Sequence, residues 1–216
     1  MAERSEAVLI TGCSSGIGRA TALRLGRSGW TVYASARRPE TLVDLAEAGC
    51  RTLALDVTDE QSMSAAVAGV EQAEGAVGVL INNAGYSQCG AIETVPMDAV
   101  RRQFETNYFG VVRLTQLVLG KMRAQRWGKI VNLGSMGGRL SFPGGGHYHA
   151  TKHALEAISD AGLECRELHA EGRAPLEILF SLVMLVDFVA TYLALLRGMD
   201  PTPVPVLMTL KKQLAR

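Results

Sequence analysis

Tyr148 and Lys152 stand four residues apart in the run Gly146-His147-Tyr148-His149-Ala150-Thr151-Lys152, just ahead of Ala154, Leu155, Ala157 and Ile158. The apolar spacing predicts a helix, and residues four apart on a helix share a face. A phenol gives up its proton only near pH ~10, and a fixed cation beside it favours the phenolate. The pair is therefore suited to moving a proton. The same spacing also suits a packed aromatic beside a solvated charge, so the rest of the chain has to decide between the two readings.

A second constellation lies near the start. Val8-Leu9-Ile10 runs into Thr11-Gly12-Cys13-Ser14-Ser15-Gly16-Ile17-Gly18, followed by Arg19-Ala20-Thr21-Ala22-Leu23. An apolar run, a glycine-rich turn and a helical pattern, in that order, match the first strand-to-helix unit of a dinucleotide-binding sheet. Glycine lets the backbone approach a pyrophosphate, and free N–H groups at the helix start receive its charge. The alternative is an ordinary strand-to-helix turn rich in small residues.

Further motifs follow in order: Leu55-Asp56-Val57; Asn82-Asn83-Ala84-Gly85; Asn107 within Glu105-Thr106-Asn107-Tyr108-Phe109-Gly110; and Ser135 at the end of Ile130-Val131-Asn132-Leu133-Gly134-Ser135. With the glycine turn (Gly-xxx-Gly-x-Gly) and the Tyr148/Lys152 pair, this series resembles the short-chain dehydrogenase/reductase family from about Ala7 to Ala161. The wording of the turn resembles the branch that acts on steroids and retinoids. The resemblance implies that Tyr148 exchanges a proton with a substrate oxygen while hydride moves to or from a nicotinamide. It implies that Lys152 tunes the phenol and holds the ribose, that Ser135 donates a hydrogen bond to the same oxygen, and that Asn107 anchors a water leading from Lys152 to solvent. Gly12, Ser14, Ser15, Gly16, Ile17 and Gly18 would cradle the cofactor, Asp56 and Val57 would meet its adenine, and Asn83 would lie near its ribose. Met136 and Phe142, in the segment joining Ser135 to Tyr148, are apolar enough to line a lipophilic substrate, or they simply pack.

The end of the second strand bears on cofactor choice. An acidic residue there accepts from a ribose 2′-hydroxyl and repels a 2′-phosphate. This chain has Ala36 at that place, and Arg37 next to it offers a planar fork suited to phosphate. NADP is the expected cofactor and NAD the alternative.

The elements that must position these groups are readable too. Strand-like runs at Val8–Thr11, Thr31–Ser35, Thr52–Leu55, Val79–Asn82 and Lys129–Leu133 alternate with helical patterns at Gly18–Ser28, Pro39–Ala48, Asp59–Ala73, Pro96–Arg123 and Tyr148–His169. Alternation of this kind predicts an α/β fold, a doubly wound (Rossmann-type) parallel sheet in a single domain covered on both faces. The expected division is 1–172 as the dinucleotide-binding catalytic domain and 173–216 as an atypical C-terminal segment. Bulk properties agree: 216 residues with 48% hydrophobic and 20% charged content suit a globular domain with a substantial core.

A net charge of +1 argues against a nucleic-acid partner. Cys13, Cys50, Cys89 and Cys165 have neither metal-ligand spacing nor a disulfide rhythm, so no metal is expected and the thiols read as reduced, as in a cytoplasmic protein. Met1 to Glu6 is charged, without an apolar signal region.

The resemblance weakens after Ala161. Pro175 to Thr191 holds a sixth-strand pattern without the family's Pro-Gly turn over the nicotinamide, which leaves Thr191 as the carboxamide contact. Residues 178–196 are nearly all apolar and about as long as a bilayer span, with Asp187 in their middle. They must bury themselves in core, in a homo-oligomer interface or in a membrane. The sequence thus points to an NADP(H)-dependent oxidoreductase interconverting an alcohol and a ketone or aldehyde on a lipophilic substrate. A ketoacyl thioester reductase is the alternative within the enzyme class, and a catalytically impaired NADP-binding or interaction protein is the alternative outside it.

Overall fold

A computed structural model describes residues 4–160. Five short strands, β1 (Val8–Ile10), β2 (Val32–Ala36), β3 (Arg51–Ala54), β4 (Val79–Asn82) and β5 (Lys129–Asn132), form one sheet in the order β3-β2-β1-β4-β5. Every pairing is parallel; Val8 lies opposite Val32 on one side and Val79 on the other. The inner strands β1, β2 and β4 are buried at every position, as a parallel sheet covered on both faces requires, whereas the edge strands β3 and β5 are partly exposed.

Six α-helices connect and cover the strands: α1 (Gly16–Arg27), α2 (Val43–Glu47), α3 (Glu60–Glu74), α4 (Met97–Phe104), α5 (Gly110–Ala124) and α6 (Gly146–Asp160). Alternate strand residues feed two cores. Leu9, Tyr33 and Leu80 pack with Met63, Val67 and Val70 of α3 and Leu114 and Val118 of α5. Val8, Ile10, Val32 and Ile81 pack on the opposite face with Ala22 of α1 and Leu45 of α2. Fully burying a side chain such as Leu9 or Leu114 contributes roughly 1.5–3 kcal/mol, so these two layers hold the sheet rigid beneath the site.

The single helix expected over Pro96–Arg123 is a continuous rod with a fault in it. Between α4 and α5, Glu105–Phe109 winds as a π turn with helical dihedrals on either side. Gly110 then lets α5 press on the Val57 carbonyl, where a Cβ would collide. The first strand-to-helix unit, the parallel sheet and the strand positions match the expectations within a residue or two. Residues 39–48, expected as one helix, divide into a 3-10 turn (Pro39–Leu42) and α2.

No helix among the described residues is long and apolar enough to cross a membrane. The apolar stretch 178–196, Thr191, Cys165 and the division at 172/173 lie outside the described residues.

Candidate active site

β1 has β2 on one side and β4 on the other, so the sheet reverses its winding between β1 and β4. Ligands of open α/β sheets sit at the carboxyl ends of the strands at such a point. Here the two strand ends are stitched together by side chains. Thr11 Oγ1 accepts from the N–H groups of Asn83 (3.0 Å) and Ala84 (2.9 Å), and Asn83 Nδ2 donates to the carbonyls of Thr11 (2.8 Å) and Gly12 (3.0 Å). Asn83 thus braces the glycine turn from behind. Gly12 (φ 71°) and Gly16 (φ 59°) take left-handed conformations that few other residues adopt. Gly18 is buried because α1 presses on Asn83; a Cβ there would collide with Asn83 Nδ2 and lie 2.7 Å from the Gly12 carbonyl.

A cleft of about 970 Å³ opens above these strand ends. Its walls include Gly12, Ser14, Ser15, Gly16 and Ile17, then Ala36 and Arg37 at the end of β2, Asp56 and Val57 after β3, Asn83 after β4, and Tyr148 and Lys152 on α6. All of the expected cofactor residues within the described part of the chain, except Gly18, therefore line one cavity. The start of α1 suits an anion: Ser15 makes no side-chain cap bond and the first turn carries no acidic residue, so its N–H groups stay available for phosphate. A nicotinamide dinucleotide fits this cradle. Asp56 is partly engaged already, accepting from the N–H (2.9 Å) and hydroxyl (2.8 Å) of Thr58 through Oδ1. Asp59, not Asp56, caps α3, accepting from Ser62 N–H.

Helix α6 brings Tyr148 and Lys152 to the wall of the same cleft. Lys152 is buried, its ammonium donates to the Leu133 carbonyl (2.6 Å), and it sits 6.0 Å from the centre of the Tyr148 ring. Burial pushes the Lys152 ammonium below the ordinary lysine range, and the nearby Glu156 carboxylate opposes that push. Side-chain amides anchor α6 to the sheet: Asn82 Nδ2 donates to Asn132 Oδ1 (2.9 Å), and Asn132 Nδ2 donates to Ser159 Oγ (3.1 Å).

Asn107, 1% exposed in the π turn, makes three side-chain hydrogen bonds to protein. Its Oδ1 accepts from Tyr86 N–H (3.0 Å), and its Nδ2 donates to the Tyr86 carbonyl (2.9 Å) and Thr151 Oγ1 (3.1 Å). A π turn of this kind often marks a functional position. It ties the loop after β4 to α6 next to Lys152.

Ser135 and Tyr148 approach one point without both lining the cleft. A Cβ at Gly137 would lie 3.2 Å from Tyr148 Cε1 and 3.4 Å from Ser135 Oγ. The Ser135 hydroxyl accepts from Gly137 N–H (3.0 Å) and caps a 3-10 turn, Met136–Gly138. Met136 and Phe142 are 44% and 55% exposed and are not among the residues that line this cleft, and Phe142 packs edge-on against His149.

Several participants carry no signal that sequence reading used. Tyr86, Ser87, Arg102, Glu105 and Thr106 also line the cleft. Thr151 joins Asn107 to the Tyr148 carbonyl, and His149, 2% exposed, accepts from Phe142 N–H (3.4 Å). The clustering of His147, His149 and His153 around Tyr148 was the available hint.

A family model described as short chain dehydrogenase matches residues 6–169, well over half of the chain. The chain belongs to the short-chain dehydrogenase family. It is 40% identical over 153 residues to a probable short-chain type dehydrogenase/reductase of Helicobacter pylori, covering 71% of this chain and 56% of that protein. It is 41% identical over 163 residues to a 3-ketodihydrosphingosine reductase of Bacteroides thetaiotaomicron (75% and 59%), and 37% identical over 162 residues to an NADPH-dependent 3-dehydrocapnine reductase of Ornithobacterium rhinotracheale (71% and 57%). The chain thus spans less than three fifths of the length of these relatives. A crystal structure of a short-chain dehydrogenase from Streptomyces avermitilis superposes with a TM-score of 0.70 at 43% identity, covering 73% of this chain and 59% of that one. A second family model, the bacterial phospho-glucose isomerase C-terminal SIS domain, matches residues 148–214, under half of the chain, and overlaps the first match along α6.

Proposed function

We propose that this short-chain dehydrogenase is an NADP(H)-dependent oxidoreductase that interconverts an alcohol and a ketone or aldehyde on a lipophilic small molecule. The observation that carries the reading is the meeting of the glycine cradle and the Tyr148/Lys152 pair in one cleft. When bound, the nicotinamide cofactor supplies hydride to a carbonyl carbon or takes it from an alcohol carbon.

Tyr148 gives its phenolic proton to the carbonyl oxygen in the reductive direction and recovers it in the other. Lys152, fixed by the Leu133 carbonyl, holds its charge near the Tyr148 ring and would hold the ribose of a bound cofactor. Ser135, placed with Tyr148 around Gly137, would donate its hydroxyl hydrogen to the oxygen that becomes alkoxide. Asn107 and Thr151 keep α6 and the loop after β4 in register. Arg37 at the cleft wall, beside an Ala36 without a carboxylate, supports NADP over NAD. The relative named as NADPH-dependent points the same way. The reductase names of two relatives favour a ketone on a long apolar chain over a small alcohol.

One observation favours a second reading, nucleotide binding without turnover: the Ser135 hydroxyl is engaged by Gly137 N–H and does not line the described cleft. NADPH oxidation by the purified chain across a panel of long-chain 3-keto compounds, ketoacyl thioesters, steroid ketones and aldehydes separates the two. Loss of NADPH absorbance with any member supports the oxidoreductase. Tight NADPH binding with none consumed establishes the second reading.

A further inference from the structure

Glu156 lies one helical turn beyond Lys152 on α6, so the two side chains leave the same face of the helix. Its Oε2 is 3.3 Å from Arg139 Nη2, and Arg139 directly follows the 3-10 turn capped by Ser135. The side chain also presses on backbone. A Cβ at Gly134 would lie 2.7 Å from Glu156 Oε1, and one at Gly138 would lie 2.8 Å from Glu156 Cγ, so the side chain runs close against both backbone positions. Gly134 separates Leu133, whose carbonyl receives the Lys152 ammonium, from Ser135. One carboxylate therefore touches the strand end that fixes Lys152 and the turn that carries Ser135.

We propose that Glu156 is a positioning residue for the reaction: clamped by Arg139, it locks the Leu133–Ser135 backbone onto α6 and keeps a negative charge one turn from the Lys152 ammonium. The proposal rests on the role given to Lys152 above. As a half-exposed ion pair the Arg139–Glu156 bridge adds only about 0–1 kcal/mol of stability, so its value lies in placement. The other charged or titratable groups around Lys152 are Tyr148 on its own helix, Arg139 after the 3-10 turn, and Arg37, Asp56, Arg102 and Glu105, which share the cleft wall. His149 and His153 on α6 are engaged with the Phe142 N–H and the His149 carbonyl. Among them Glu156 is the anion that counters the burial of Lys152.

The test is a pH titration of the Lys152 side-chain resonance in the full chain labelled with ¹³C-lysine, assigned by its loss in Lys152→Met. Glu156→Gln keeps size and hydrogen-bonding capacity but removes the charge, so the Lys152 midpoint falls to lower pH, and Glu156→Asp restores part of it. An unmoved midpoint in folded Glu156→Gln overturns the proposal. If Glu156→Gln does not fold, Glu156→Asp decides, since it too must lower the midpoint relative to the parent. Because this readout needs no turnover, it stands apart from the oxidoreductase reading. That reading fails separately if Tyr148→Phe and Lys152→Met remain active.

Discussion

Placing a methyl group on Gly18 tests how the glycine turn is braced. The new Cβ would collide with Asn83 Nδ2 and sit 2.7 Å from the Gly12 carbonyl. To make room, Asn83 must withdraw the amide that donates to the Thr11 and Gly12 carbonyls. Two lost hydrogen bonds cost roughly 1–3 kcal/mol, and forced overpacking adds about 1–3. Alanine returns at most about 1 kcal/mol of helix propensity. Gly18→Ala should therefore destabilise the fold by roughly 1–5 kcal/mol and weaken NADPH binding, since the same carbonyls frame the cradle. Asn83→Ala alone should cost about 1–3 kcal/mol.

In the double variant the amide collision is already gone, so the combined loss should fall short of the sum by about 1–2 kcal/mol. Urea unfolding of the parent, the two single variants and the double variant measures the cycle, with NADPH fluorescence as a second readout. Additivity within about 0.5 kcal/mol would refute the claim that Gly18 exists to admit Asn83.

For cofactor choice, Ala36→Asp with Arg37→Ala should cut NADPH affinity roughly 10- to 100-fold while sparing or improving NADH, as loss of a charge-assisted contact worth about 1.5–3 kcal/mol implies; equal binding of both nucleotides by the unaltered chain would leave Arg37 a surface charge. His149→Ala removes the acceptor for Phe142 N–H and a buried ring, so hydrogen–deuterium exchange at the Phe142 amide should accelerate, and unchanged exchange would show that the loop holds without it. Burial pushes the Cys13 thiol from 9.0 up to about 12, whereas Cys89 is exposed. A thiol reagent at pH 8 should thus label Cys89 and spare Cys13, as peptide mass spectrometry can check. The same shift fixes a sign: the unfolded thiol ionises near 9.0 and the folded one near 12, so the Cys13 contribution is intact below about pH 9 and lost as pH climbs to about 12. Cys13→Ala should flatten that alkaline loss of stability.

What the sequence disclosed follows from how each feature is encoded. The inner strands β1 and β4 were legible because burial on both faces demands apolar runs such as Val8-Leu9-Ile10 and Val79-Leu80-Ile81. The glycine turn was legible because left-handed backbone at Gly12 and Gly16 and the close approach at Gly18 admit few other residues. The π turn was hidden: Glu105-Thr106-Asn107 continues a helical pattern, and only tertiary bonds from Asn107 to Tyr86 and Thr151 show why the rod widens there. The histidines clustered around Tyr148 marked the region, but that His149 is sealed against Phe142 depends on a contact seven residues away that the local pattern does not encode. Ser135 could be picked out by its motif, but not its second task as the cap of a 3-10 turn. Glu156 reads in isolation as one more solvated helix charge; its contacts with Gly134, Gly138 and Arg139 come from the return of the chain after β5.

The central claim, that one cleft binds NADP(H) and moves a proton through Tyr148, is tested most directly by Tyr148→Phe. Turnover of the best carbonyl substrate and the NADPH dissociation constant should be measured on the same preparation. The ring still packs and only the hydroxyl is lost, so the account predicts a fall in kcat of about 10²- to 10⁴-fold with NADPH affinity nearly unchanged. A variant that keeps its turnover would contradict the account.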